Sequence, residues 1–208
     1  MSDEFTDVEA PVVPKTYDLL GILVLAGGLS MGEEALAKMS KAEAVSLAVR
    51  ELITRLAASK NSSNFSFAIV TFDTVARIHT EITPVVDMDD CADYDPMNGH
   101  GGKTEIGVGL EAAHAIANDF LNDTSTSLRK WVTVVIMSDG VSDKEDEAIA
   151  AANAMKTNKR ITICTTLFER VSSKDEKARQ LLIQLATRPQ DFKTVYDSHT
   201  LRDLFIRS

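Results

Sequence analysis

Short apolar runs alternate with amphipathic stretches along this chain, and the two patterns predict strands and helices in turn. GILVL, residues 21–25, is a continuous apolar run closed by Gly27 and Gly28. Its length and its Ile, Leu and Val content predict a strand buried on both faces. From Glu33 to about Ser59 the period changes. Val45, Val49, Leu52, Ile53 and Leu56 recur at steps of three and four, with Lys41, Arg50, Glu51 and Arg55 between them, which predicts a helix. FSFAIVTF (65–72) and VARIHTEI (75–82) read as two strands joined at Asp73-Thr74, a hairpin.

Residues 84–103 have loop character, with Asp at 87, 89, 90, 93 and 95 followed by Gly99, Gly101 and Gly102. A helix is predicted from Thr104 or Glu105 to about Leu121, with Ile106, Leu110, Ala113 and Ile116 on one face. WVTVVIM (131–137) reads as another buried strand, stopped by Ser138-Asp139-Gly140. Helix 145–155, strand 161–168, helix 175–187, strand 192–196 and helix 201–206 complete the pattern. Trp131, Phe72 and Phe168 are expected in the core. This order predicts a doubly wound α/β domain: a mostly parallel six-stranded sheet, one antiparallel edge strand, helices on both faces. Residues 1–16, acidic and holding Pro11 and Pro14, are expected to form an extended or poorly ordered lead-in to a domain spanning 17–208.

Charge narrows the functions open to such a domain. Lys plus Arg number 22 and Asp plus Glu 31, a net charge of −9. That balance argues against binding nucleic acid by phosphate neutralisation and against docking on an anionic membrane. The longest apolar run, Leu19 to Leu29, has 11 residues, where about 20 are needed to cross a bilayer. The residues before it are acidic where a signal peptide is positive, so a cytosolic protein is expected. Cys91 and Cys164 cannot by themselves build a disulfide framework or a four-ligand zinc site.

Ligands of an open α/β sheet bind beyond the carboxyl ends of its strands, where strand order reverses. Three segments have the character to meet there: Ala26-Gly27-Gly28-Leu29-Ser30-Met31, the loop GHGGKT ending in Thr104, and Ser138-Asp139-Gly140. They offer two hydroxyls and a carboxylate, oxygen ligands of the kind that suits Mg²⁺. With GILVL and its loop, FAIVTFD, GGKTEIGVGL and VVIMSDG in this order, the chain resembles the von Willebrand factor A domain from about Tyr17 to Phe205. That resemblance implies a metal-ion-dependent adhesion site made of Asp-x-Ser-x-Ser, a loop Thr and a distal Asp. Ser30, Thr104 and Asp139 match the last serine, the threonine and the distal aspartate.

Two motif positions depart: Ala26 stands where the aspartate belongs and Gly28 where the first serine belongs. One carboxylate and two neutral hydroxyls remain, a poor set for Mg²⁺ or Mn²⁺, so no tightly bound cofactor is expected. The expectation is a protein-binding module whose metal coordination is weakened or lost. Its partner would meet Gly27, Gly28, Leu29, Ser30, Met31, Thr104 and Asp139, the loop 87–103 and residues 138–143. The five loop aspartates would suit a basic partner. The resemblance further implies that bacterial cytosolic members serve as adaptors for ATPases or multi-protein assemblies. One alternative keeps the divalent metal, with Glu33, Glu34 or a loop aspartate in place of the lost carboxylate.

An enzyme reading finds little footing. Gly102-Lys103-Thr104 invites comparison with a phosphate-binding loop, but Met97 stands where its first glycine belongs and a carboxylate-rich stretch precedes it. Cys91 and His100 lack an orienting partner for nucleophilic work, and Cys164 is expected to be a buried apolar residue. Ser30 and Thr104 could equally serve as helix caps.

Overall fold

The computed structural model describes residues 15–34, 39–140, 142–169 and 175–195. The predicted helix at 201–206 and all but the last two residues of the 1–16 lead-in lie outside them. Among the described residues six strands form one sheet: β1 (Tyr17–Ala26), β2 (Phe65–Phe72), β3 (Ala76–Pro84), β4 (Arg129–Ser138), β5 (Ile161–Phe168) and β6 (Phe192–Val195). Their order is β3-β2-β1-β4-β5-β6, and only the β2–β3 pair is antiparallel. The connections run outward from β1 in both directions, so the order reverses between β1 and β4. The carboxyl ends of those two central strands, Ala26 and Ser138, stand side by side.

Four helices among the described residues cover the sheet: α1 (Lys41–Ala57), α2 (Ile106–Asn122), α3 (Glu145–Lys156) and α4 (Glu176–Leu185). α2, α3 and α4 lie side by side. Gly109 brings α2 so close that an added Cβ would lie 2.9 Å from both Val24 and Phe72. Right-handed crossovers then put α1 on the opposite face. β1 is thereby covered on both sides, and Leu20, Ile22, Leu23, Val24 and Leu25 are almost wholly buried. Each such side chain contributes roughly 1.5–3 kcal/mol of transfer free energy.

Three expectations need correction. α1 begins at Lys41, eight positions after Glu33, because Ser40 and Glu43 form a reciprocal capping box. The Ser40 side chain accepts from the Glu43 amide at 3.1 Å, and the Glu43 carboxylate accepts from the Ser40 amide at 2.7 Å. Residues 29–32 form a separate 3₁₀ turn. Trp131 is 46% exposed rather than core, since it lies near the amino end of β4, where alternate residues face solvent. Thr104 caps no helix, because α2 starts two residues later with Glu105 at the cap position.

Candidate functional site

Three loops converge beyond Ala26 and Ser138, and close backbone approach holds them together. The Gly27 amide donates to the Phe72 carbonyl at 2.7 Å. A Cβ on Gly27 would lie 2.2 Å from the Pro96 carbonyl oxygen, so only glycine fits beneath that loop. A Cβ on Gly28 would lie 2.8 Å from Thr104 Oγ1, which places the threonine hydroxyl directly over the first loop. The Leu29 amide reaches the Gly102 carbonyl at 3.3 Å. Leu29 itself projects outward, 71% exposed.

Asp139, just past the end of β4, is the charged centre of the site. Its side chain is 1% exposed. The Ser30 hydroxyl donates to Oδ1 at 2.8 Å, and the Lys41 ammonium donates to Oδ2 at 2.5 Å. Lys41 is itself buried, with 6% side-chain exposure, and also contacts Glu33 Oε2 at 3.2 Å. Ser30 thus serves Asp139 rather than capping a helix.

The Gly-rich loop is organised around a second carboxylate, Asp73, at the β2–β3 turn. Asp73 Oδ2 accepts from the amides of Gly101 and Gly102 at 3.2 and 2.9 Å, and Oδ1 accepts from Val75 at 3.0 Å. Gly101 has φ +142° and Gly99 φ +76°, conformations that favour glycine. His100, whose side chain is fully buried, lies with Nδ1 3.1 Å from Asp73 Oδ1 and hydrogen-bonds Thr71 through Nε2 at 2.9 Å. The Nδ1 contact is close but off the line of a good hydrogen bond. Burial pushes the Asp73 carboxyl upward, yet donation from the Val75 and Gly102 amides and the adjacent His100 imidazole outweigh it and hold the pKa well below the ordinary carboxylate range.

Thr104 is held from the other side. Its amide donates to Asp143 Oδ2 at 3.2 Å, and its carbonyl accepts from the Asp143 amide at 2.8 Å. Ser142 accepts from the Ile106 amide at 3.2 Å, at the start of α2. Lys103 is exposed and only 3.8 Å from Asp143 Oδ1. The amides of Gly101 and Gly102, which a phosphate cradle would direct at its ligand, are occupied by Asp73.

The structure therefore joins Ser30 to Asp139 directly and sets the Thr104 hydroxyl over Gly28 of the same loop, with Ala26 buried at the end of β1. The solvent-facing surface is narrower than expected: Gly27, Gly28 and Met31 are buried. Residues 87–95 are ordered against α1 by Arg50 Nε donating to the Ala92 carbonyl at 2.7 Å and by Tyr94, which is 3% exposed. Several of those aspartates are occupied in turns, Asp89 accepting from Cys91 and Asp95 from Met97. Asp89, Asp90 and Cys91 gather ligand-type atoms within 4.8 Å of one another, all exposed. Cys91 donates to Asp90 rather than meeting His100. Cys164 is half-buried, and burial pushes its thiol up to about 11. Lys41 and Asp73 lie outside the residues that the sequence singles out for the site, and His100 enters there only as part of the loop 87–103 and beside Cys91. The Ser40-Lys41-Ala42-Glu43 capping-box pattern was the one local sign that α1 would start where Lys41 reaches Asp139.

No protein-family model matches the sequence, and no curated protein matches it. Solved structures do. The pilus adhesin SpaC from Lactobacillus rhamnosus GG matches 92% of this chain with TM-score 0.73 and 12% identity. The von Willebrand factor type A protein from Catenulispora acidiphila matches 92% with TM-score 0.65 and 16% identity. The vWF domain of the type V pili tip protein Mfa5 from Porphyromonas gingivalis matches 93% with TM-score 0.64 and 13% identity. The chain spans 30% of SpaC, 42% of the Catenulispora protein and 94% of the Mfa5 domain. Its fold is that of a von Willebrand factor type A domain. Among the described residues no helix is long and apolar enough to cross a membrane.

Proposed function

We propose that this domain is a protein-binding module that engages its partner at the carboxyl end of the sheet, without a divalent metal. The observation that carries this reading is the pairing of Asp139. The carboxylate that would have to ligate a metal is engaged on both oxygens, by Ser30 and by the Lys41 ammonium. The remaining donors, two hydroxyls without the carboxylate and serine that Ala26 and Gly28 replace, fit Mg²⁺ or Mn²⁺ poorly. The charged groups of the site are largely internal, while Leu29 stands exposed at its rim. An exposed apolar side chain above a rigid polar base suits an interface better than a reaction centre. The carboxylates along 87–95 make a basic partner surface the better electrostatic match.

Likeness to pilus adhesins supports protein binding in general. It lends no particular support to an ATPase partner or to a cytosolic location, both of which stay proposals from sequence. The competing reading retains the metal with Glu33 supplying a carboxylate. Glu33 does reach the site, but its Oε2 contacts the Lys41 ammonium.

A photoreactive side chain at position 29, compared with one at position 131 at the other end of β4, tests the proposal in EDTA. The expected result is a specific crosslink from 29 alone, competed by the unlabelled domain and not by a Leu29→Asp variant. A crosslink that requires Mg²⁺, or equal capture from both positions, sinks the reading.

A further inference from the structure

We propose that Lys41 is the resident cation of this site: its ammonium does the charge neutralisation that a divalent ion performs in a complete adhesion site, and it keeps such an ion out. The inference rests on the site reading above but is tested by metal binding alone, so a failed search for a partner leaves it standing.

A carboxylate as buried as Asp139 is costly unless paired with a charge and hydrogen-bonded. A buried ammonium carries the same requirement. Lys41 and Asp139 meet it for each other at 2.5 Å, and Ser30 and Glu33 complete the group. The placement of Lys41 is informative. It is the first residue of α1, where the helix dipole disfavours a positive charge. A lysine there gains nothing from its own helix, and its stabilisation comes across the fold from Asp139 and Glu33.

The losses at the metal motif fit the same picture. With Asp at 26 a further buried carboxylate would join Asp139, Asp73 and Glu33, more negative charge than the Lys41 ammonium balances. Ala26, 1% exposed, adds no charge there, so among the described residues the Lys41 ammonium faces Asp139 and Glu33 alone of the site's acids. A divalent ion approaching Asp139 would meet a fixed positive charge on the same carboxylate.

The experiment compares Mn²⁺ binding, by calorimetry and by melting temperature, in four proteins. They are the wild type, Ala26→Asp/Gly28→Ser, the triple variant that adds Lys41→Met, and Lys41→Met alone. Met keeps the length and volume of the lysine stem. The expected result is no Mn²⁺ response in the wild type, and binding by the triple variant at least about tenfold tighter than by the double, because a like charge has been removed. Gly28→Ser crowds Thr104 equally in the double and the triple variants, so the comparison isolates Lys41. Should the triple variant fold only with metal, its refolding yield against Mn²⁺ is read instead, and a metal-dependent yield supports the proposal. Binding by the wild type overturns it. So does equal binding by double and triple variants, binding by neither, or a refolding yield indifferent to Mn²⁺.

Discussion

The Ser30 hydroxyl donates to Asp139 Oδ1 at 2.8 Å across 109 positions of sequence. The bond joins the loop after β1 to the end of β4, the two strands between which sheet order reverses. With the Lys41 contact to Oδ2, it makes Asp139 a junction between the first loop, the start of α1 and the centre of the sheet.

That junction should be strongly coupled in stability. Asp139→Ala leaves Lys41 buried with the half-exposed Glu33 as its remaining carboxylate partner among the described residues and should cost about 3–5 kcal/mol. Ser30→Ala removes one hydrogen bond to a charged acceptor and should cost about 1.5–3 kcal/mol. In urea unfolding, Lys41→Met/Asp139→Leu is expected to be closer to wild type than either single variant. Additive losses in that double-mutant cycle would show the pair to be uncoupled.

Asp73 makes stability depend on pH. Its folded pKa lies below the unfolded value of about 3.9, so its contribution is present above that value and is lost as pH falls through the folded pKa. Asp73→Asn should destabilise by about 1.5–3 kcal/mol at pH 7, and the gap to wild type should narrow below about pH 4. Melting curves at pH 7 and pH 3 measure both ends. A gap that widens in acid would refute the assignment.

Glycine is required at position 27 and not at position 140. A Cβ at Gly27 meets the Pro96 carbonyl oxygen at 2.2 Å, whereas one at Gly140 meets nothing within 4 Å among the described residues. Gly27→Ala is expected to cost about 1–3 kcal/mol through a forced backbone shift. Gly140→Ala should stay within about 0.5 kcal/mol of wild type. Denaturant midpoints decide it, and equal midpoints would contradict the packing.

The two thiols should separate by access. Cys91 is exposed, with its pKa raised by the hydrogen bond to Asp90 and the nearby negative charges, while Cys164 is pushed up by burial. In iodoacetamide labelling near pH 8, Cys91 should react first and speed up with salt as those charges are screened. Cys164 should react readily only once the domain unfolds. Faster labelling of Cys164 in the folded protein would contradict its placement.

The strands were legible because their signal is local. FSFAIVTF and ITICTTLF form strands over the residues their apolar runs predict. α1 was misplaced at its start because the apolar period alone does not reveal a cap, and Trp131 because hydrophobicity does not say how far a strand extends beyond its helices. Ser30, Thr104 and Asp139 could be recognised from a motif whose spacing survives two lost ligands. Lys41 carried no such mark, since a lysine in an amphipathic helix reads as a solvated face.

Local patterning was enough to specify the doubly wound order, the antiparallel edge and the end of the sheet where the three motif segments meet, because periodicity and turn residues act within a few positions of themselves. The tertiary structure alone decided which groups pair there. Asp139 meets Lys41 through the crossovers, while Asp73 meets the Gly101 and Gly102 amides, and His100 meets Thr71, because the β2–β3 hairpin folds the following loop back over its own turn. Whether a buried charge finds an ammonium or a metal depends on that proximity and on the loss of water around it.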